Sequence, residues 1–195
     1  MAPLPRPPEL RPAPILAALA RHDVAYITIG SYAAILQDVD LPMTDIDIVP
    51  ANSSENRHRL VAALRDLNAV EAVGEGEEPL DDLVANPDSV GDSTFRTFIT
   101  EFGGVDVVNR PAGFPNGYDD LLAASHVATI QDDREPSFTV DAKIADVQDV
   151  YRSKQQAGRA KDIKALAAFV GIHPQDVKVN LRARYRAERP TRGDD

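Results

Sequence analysis

Apolar and polar positions alternate along this chain with two distinct periods. "PILAALARHDV" (residues 14–24) carries apolar residues at helical spacing and predicts a first helix. "AYITIG" (25–30) is a compact β-branched run, predicting a buried strand that ends at Gly30. "SYAAILQDV" (31–39) predicts a second helix with Ser31 as its N-cap. "TDIDIVP" (44–50) alternates with a period of two and is stopped by Pro50, so it reads as a strand. "SSENRHRLVAALRDLNAV" (53–70) opens on a serine cap and lines up Leu60, Ala63, Leu64 and Leu67 on one helical stripe.

Further along, Gly74 to Asp92 is acidic, turn-rich and aperiodic, which predicts an irregular loop. "STFRTFITEF" (93–102) predicts a strand turning at Gly103-Gly104 into a second strand, "VDVVN". "GYDDLLAASHVATI" reads as a helix or mixed segment and "SFTVDA" as a short strand. Two helices follow, "IADVQDVYRSKQQAG" and "AKDIKALAAFVG", then a basic helix fraying into a tail. The expected class is α+β (mixed α/β): a small mixed sheet flanked by helices, with a C-terminal helical part.

Within this pattern two aspartates are out of place. Asp45 and Asp47 interrupt an aliphatic strand, and side chains two apart share a face, so the acids project together while Ile46 and Ile48 enter the core. Carboxylates held this close raise each other's pKa unless a cation sits between them, and Asp oxygens suit Mg²⁺. Asp106, flanked by valines in "GVDVV", is a third acid expected to face away from the core. Three such carboxylates on adjacent strands can hold two Mg²⁺ ions. Upstream, Gly30-Ser31 joins a strand to a helix, where free N–H groups and a hydroxyl form a phosphate cradle. The bland alternatives are a solvated strand face and an ordinary capped turn.

Composition changes the picture in a few respects. The 195 residues suit one domain, with or without a helical annex. Cysteine is absent, excluding disulfides and thiolate metal sites. The chain has no apolar run of membrane-spanning length. The proline-rich start lacks the apolar core of a signal peptide, so a cytoplasmic setting and no membrane partner are expected. Net charge is −10, but residues 1–150 hold 10 Lys/Arg against 26 Asp/Glu, whereas 151–195 hold 11 against 5. Such asymmetry gives an acidic body with a basic face or tail. Lys178, Arg182, Arg184, Arg186, Arg189 and Arg192 form the strongest basic cluster, suited to an RNA backbone or a solvated terminus. The acidic stretch from Glu75 to Asp82 suits solvent or a basic partner surface. His22, His58, His126 and His173 show no shared metal spacing, and Tyr32 and Tyr118 are candidates for base stacking or core.

Taken together, "GS", a helix, "TDIDIV" and then "VDVV" resemble motif I and the third carboxylate of the nucleotidyltransferase superfamily related to DNA polymerase beta. "VYRSKQQAGRAKDIKAL" (150–166) resembles the Ser-Lys…Gly-Arg-x-Lys-Asp segment of AbiEii-like and MenT-type nucleotidyltransferase toxins, and "ENRHRLVAALRDLNAV" their helix after the Asp-x-Asp strand. The proline-rich residues 1–14 read as a lead-in and 126–195 as a mainly helical part with a basic tail, while the resemblance implies 15–125 as the nucleotidyltransferase core. It implies Mg²⁺-dependent transfer of NMP, with a pyrimidine preference for CTP or UTP, to tRNA 3′ ends. That activity blocks translation, as the toxin half of a toxin–antitoxin pair with a cognate antitoxin protein. Residue by residue, Gly30 and Ser31 would hold the triphosphate, and Asp45, Asp47 and Asp106 would bind metal. Lys154 and Arg159 would contact phosphate, with Lys161 a weaker candidate. Asp162 would orient Lys154 or Arg159 or complete the polar site. Phosphorylation of Ser31 would block the same site. A small-molecule acceptor, as in antibiotic-modifying relatives, and a catalytically inactive interaction module are the alternatives.

Overall fold

A computed structural model describes residues 8–72 and 86–169. They form a mixed α+β fold built on one seven-stranded sheet. In chain order the elements are α1 (Pro12–Arg21), β1 (Tyr26–Ile29), α2 (Gly30–Ile35), β2 (Asp45–Pro50), α3 (Ser54–Asp66) and β3 (Val70–Ala72). A 3₁₀ turn (Pro87–Gly91) then leads to β4 (Phe95–Thr100), β5 (Gly103–Val108), α4 (Tyr118–Leu122), β6 (His126–Gln131) and β7 (Thr139–Ile144). The described chain closes with α5 (Val147–Ala157), α6 (Ala160–Leu166) and a last 3₁₀ turn.

Across the sheet the order is β3-β4-β5-β2-β1-β7-β6. β1 and β2 therefore lie well inside it. This position suits the continuous aliphatic run of β1, all four of whose residues are buried. β2 and β5 run parallel, as do β1 and β7; the other neighbours are antiparallel. A parallel partner needs a long crossover, and α3 with β3 and β4 lies in the connection from β2 to β5. The expected stripe of α3 is in the core: Leu60, Ala63, Leu64 and Leu67 are all buried. Its N-cap is Ser53, whose hydroxyl accepts from the Asn56 amide at 3.2 Å.

Several expectations need correction. Ser31 does not cap α2: the helix starts at Gly30, its N-cap is Ile29, and it ends at Ile35 rather than running to residue 39. Gly30 adopts φ +73°, so the glycine itself makes the turn from strand to helix. The β4–β5 hairpin turns at Glu101-Phe102, not at Gly103-Gly104, because Thr100 already pairs with Gly103. The Thr100 hydroxyl secures this turn, donating to the Gly103 carbonyl at 2.8 Å and accepting from the Phe102 amide at 3.0 Å. α1 begins at Pro12, two residues earlier than expected, since proline at the first helical position leaves no N–H to satisfy. Residues 126–144, assigned by sequence to the mainly helical part, contribute β6 and β7 to the sheet beside β1. The acidic loop ends in the 3₁₀ turn at Pro87–Gly91. Its stretch from Glu75 to Asp82, the basic tail from Lys178 and His173 lie outside the described residues.

A buried amide ties the two helices that border the carboxylate strands. Gln37, just past α2, is only 1% exposed. Its side chain donates to the Ala33 and Ala145 carbonyls at 2.7 and 2.9 Å and accepts from the Val147 amide at 2.9 Å. The start of α5 is thereby pinned to the end of α2. Replacing Gln37 by Leu leaves these backbone groups unpaired in the core. The change is expected to lower stability by about 2–4 kcal/mol, read as a reduced urea midpoint with an unchanged slope.

Candidate functional site: a carboxylate cleft

The register of β2 and β5 decides where the acids meet. Asp47 pairs with Asp106 and Asp45 with Gly104. Each of the three carboxylates, Asp45, Asp47 and Asp106, offers an oxygen within 4.8 Å of the others. Their strand neighbours Ile46, Ile48, Val105 and Val107 are fully buried on the opposite side. Gly104 opposite Asp45 removes a side chain where one would crowd it: a Cβ there would lie 3.3 Å from the Asp45 Cβ.

Gly30 approaches the group from β1. A Cβ at this position would sit 1.9 Å from Asp47 Oδ2. Steric contact and positive φ together make glycine a requirement here. The Ser31 hydroxyl follows immediately and accepts a hydrogen bond from Lys154 Nζ at 3.3 Å. Lys154 reaches it from α5, four residues beyond buried Val150 and hence on the same helical face. That placement explains why only 12% of its side chain is exposed. α5 ends at Gly158 in the left-handed region (φ 61°), and the chain turns directly into α6. Asp162, buried in the first turn of α6, accepts from Arg159 Nε at 2.5 Å and lies 4.0 Å from Lys154 Nζ.

The eight residues given a site role by the resemblance line one cleft of about 570 Å³: Gly30, Ser31, Asp45, Asp47, Asp106, Lys154, Arg159 and Asp162. This volume falls within the range of small-ligand sites. Lys161 lines it as well, as do residues the sequence reading passed over: Thr44, Phe95, Val108 and Arg110. Phe95 and Val108 sit on the carboxylate face by simple strand alternation, a signal legible only once the β4–β5 register is known. Tyr32 is buried in the core at 2% exposure, which removes it as a stacking surface for a base. His22 and His58 bond to Asp66 and to the Ser54 carbonyl, and neither contributes to the acidic group.

The electrostatics are those of crowded, partly buried like charges. Burial pushes Asp47 up to about 7, with Asp45 and Asp106 adding repulsion and Lys154 and Lys161 offsetting part of it. Burial also lifts Asp106 to about 6, opposed by a hydrogen bond from Thr97. Oδ1 of Asp106 is buried with no hydrogen-bond partner. A buried acceptor without a donor is costly, and a hard divalent cation satisfies it without one. The donor set therefore fits Mg²⁺: three carboxylates, with open cleft for water and phosphate oxygens. Burial lowers the pKa of Lys154, while Asp162 and Asp47 favour its charged form. Arg159 is raised, chiefly by its hydrogen bond to Asp162.

No protein-family model matches the chain, and no curated protein matches it in sequence at a significant level.

Two outcomes are expected from this geometry. Below the ordinary carboxylate value of about 3.9, Asp47 is protonated in folded and unfolded chains alike and costs nothing. As pH rises towards about 7, folded Asp47 keeps a proton that the unfolded chain has lost, so stability falls over this interval. Metal-free protein should lose roughly 2–4 kcal/mol between those limits, less in Asp47→Asn, and Mg²⁺ should restore the loss at pH 7. Thermal melts across pH, with and without Mg²⁺, provide the check. Separately, Gly30→Ala should cost about 1–3 kcal/mol from backbone strain alone and abolish the Mg²⁺-dependent rise in melting temperature, because its methyl displaces the Asp47 carboxylate.

Proposed function

We propose that the protein is a Mg²⁺-dependent nucleotidyltransferase, a toxin of a bacterial toxin–antitoxin pair that transfers NMP from CTP or UTP to the 3′ end of tRNA. The observation that carries the reading is the placement of the three carboxylates beside Gly30, Ser31 and Lys154 in one cleft. An NTP needs both halves, cations and a hydroxyl for its phosphates and acids for its metal. Asp45, Asp47 and Asp106 would hold Mg²⁺, which when bound lowers the pKa of the attacking hydroxyl and neutralises the departing pyrophosphate.

The chain's own residues divide the remaining work. Gly30 lets the backbone approach the triphosphate closely, and the Ser31 hydroxyl, already paired with Lys154 Nζ, is positioned to bond a phosphate oxygen. Lys154 supplies a compact positive charge beside the β- and γ-phosphates. Asp162 holds Arg159 and attracts Lys154, fixing both cations relative to the sheet. The acceptor hydroxyl passes its proton to solvent as its oxygen attacks the α-phosphorus, the bond from that phosphorus to the oxygen bridging to the β-phosphate breaks, and pyrophosphate leaves towards Lys154. The choice of tRNA, of a pyrimidine nucleotide and of an antitoxin partner follows from the resemblance of residues 150–166 to MenT and AbiEii-like toxins. The basic character of residues 151–195 supports an RNA acceptor.

Purified protein with Mg²⁺ and each labelled NTP in turn is expected to label the 3′ end of tRNA, most strongly with CTP or UTP. Asp47→Asn should reduce the rate by about a hundredfold or more, and Lys154→Met should weaken NTP use. Full labelling by the Asp47 variant, or labelling that survives chelation of divalent ions, would overturn the mechanism.

A further inference from the structure

The carboxylate face of the sheet continues past Asp106. In the antiparallel pair β4–β5, Thr97 lies opposite Asp106 and Phe95 opposite Val108. Residues two apart on a strand share a face at about 3.3 Å per residue. Phe95 and Val108 thus stand on the same face as the acids, one step of roughly 7 Å along the strands. Both line the cleft. Phe95 remains 48% exposed, an aromatic plate at the end of an otherwise charged site. Arg110, two residues past Val108, lines the cleft, is exposed, and has no carboxylate partner among the described residues.

The sheet register also fixes what lies on the other side of the acids. β1 runs antiparallel to β2 with Ile29 opposite Asp47, so Gly30 and Ser31 leave the sheet towards the Asp45 end. β5 runs parallel to β2 on its opposite flank, and Val108 lies beyond Asp106 in the other direction. The phosphate pocket and the Phe95 plate are therefore diagonally opposed across the carboxylates. In an in-line displacement the attacking and leaving oxygens occupy opposite sides of the phosphorus. If pyrophosphate leaves towards Ser31 and Lys154, the acceptor enters from the Phe95 side.

We propose that Phe95, with Val108 beside it, stacks the terminal nucleobase of a single-stranded RNA acceptor, and that Arg110 contacts that acceptor's backbone phosphate. An exposed ring beside an unpaired guanidinium matches the alternating apolar and anionic chemistry of a nucleic-acid strand. The assignment rests on the nucleotidyl-transfer reading and adds the acceptor subsite to it. Stacking tolerates any base, so this contact selects for a nucleic-acid end rather than for a particular sequence.

A short single-stranded RNA with 2-aminopurine at its 3′ end tests the contact without turnover. Stacking on Phe95 should quench the probe when full-length protein binds. Phe95→Ala should remove the quench and weaken binding on the order of tenfold, while Phe95→Tyr keeps both. The ring is half-exposed, so the alanine variant should keep its fold, which its urea midpoint checks. Arg110→Gln should reduce the salt dependence of binding by about 0.7 in log–log slope. CTP and UTP affinities, measured with Mg²⁺, should be unchanged in Phe95→Ala. A fall in NTP affinity with RNA binding intact would overturn the proposal by giving the ring to the nucleotide's own base. Equal quenching by wild type and Phe95→Ala, or no quench with wild type, would overturn it too. Failure of wild-type protein to extend RNA counts instead against the proposed activity, and the binding assay separates the two.

Discussion

Mutual repulsion among three carboxylates is the constraint around which this structure is arranged. The parallel register of β2 and β5 sets Asp47 against Asp106, and Asp45 joins them from one pleat away. Nothing about strand pairing favours that arrangement. The same face could carry threonines and cost less, because two of the three acids are held well above the usual carboxylate range by burial and by one another. The cost is local and specific, and a divalent cation bound there would offset it. Backbone geometry is equally committed: glycine stands at position 30 where any side chain would collide with Asp47.

The helical hairpin of α5 and α6 answers the acids with cations while keeping those cations in place. A buried lysine favours its neutral form unless acids are near, and Lys154 has both Asp162 and Asp47. Asp162 is itself buried, so its charge requires partners, and it finds Arg159 by hydrogen bond and Lys154 by proximity. Positive charge is thereby anchored beside the sheet rather than left to sample solvent. Gln37 adds a neutral strut, linking the helix that carries Ser31 to the start of the helix that carries Lys154. The two halves of the cleft are thus tied through a polar group with three partners inside the core.

Much of this was legible in the sequence, and the misses have physical reasons. Period-two alternation in "DIDIV" exposed Asp45 and Asp47, and the valines around Asp106 gave its facing correctly. The helical stripe of α3 was equally plain, since burial of one face dominates its composition. Ser31 was misread as a cap because serine after a strand usually caps, whereas here glycine at positive φ makes the turn one residue earlier. The β4–β5 turn was misplaced because paired glycines mimic a turn signal; in the structure they are strand residues facing Leu10 and Asp45, where a side chain would crowd its neighbour. The membership of β6 and β7 in the central sheet had no local signature, because β7 joins β1 across more than a hundred residues. Phe95 and Arg110 escaped for the same reason: their place in the cleft depends on pairing between strands, which no window along the chain contains.

The acidic balance of the chain, −10 overall, looks unsuited to the polyanionic substrate of the proposed reaction. Distance resolves the conflict. At physiological ionic strength exposed charges are largely screened beyond about 8 Å, so any charged solute in the cleft responds to the groups lining it more than to the remote surface. There, Arg159 and Asp162 form a pair, and Lys154, Lys161 and Arg110 stand opposite the three acids. Formal charge is then close to balanced, and each Mg²⁺ of the proposed reaction would shift it by two positive units. Among the described residues no helix is long and apolar enough to cross a membrane. Under the proposed reading, a cleft tuned near neutrality would become attractive to phosphate through a bound divalent ion, which would make ion binding and phosphate binding one linked event rather than two independent ones.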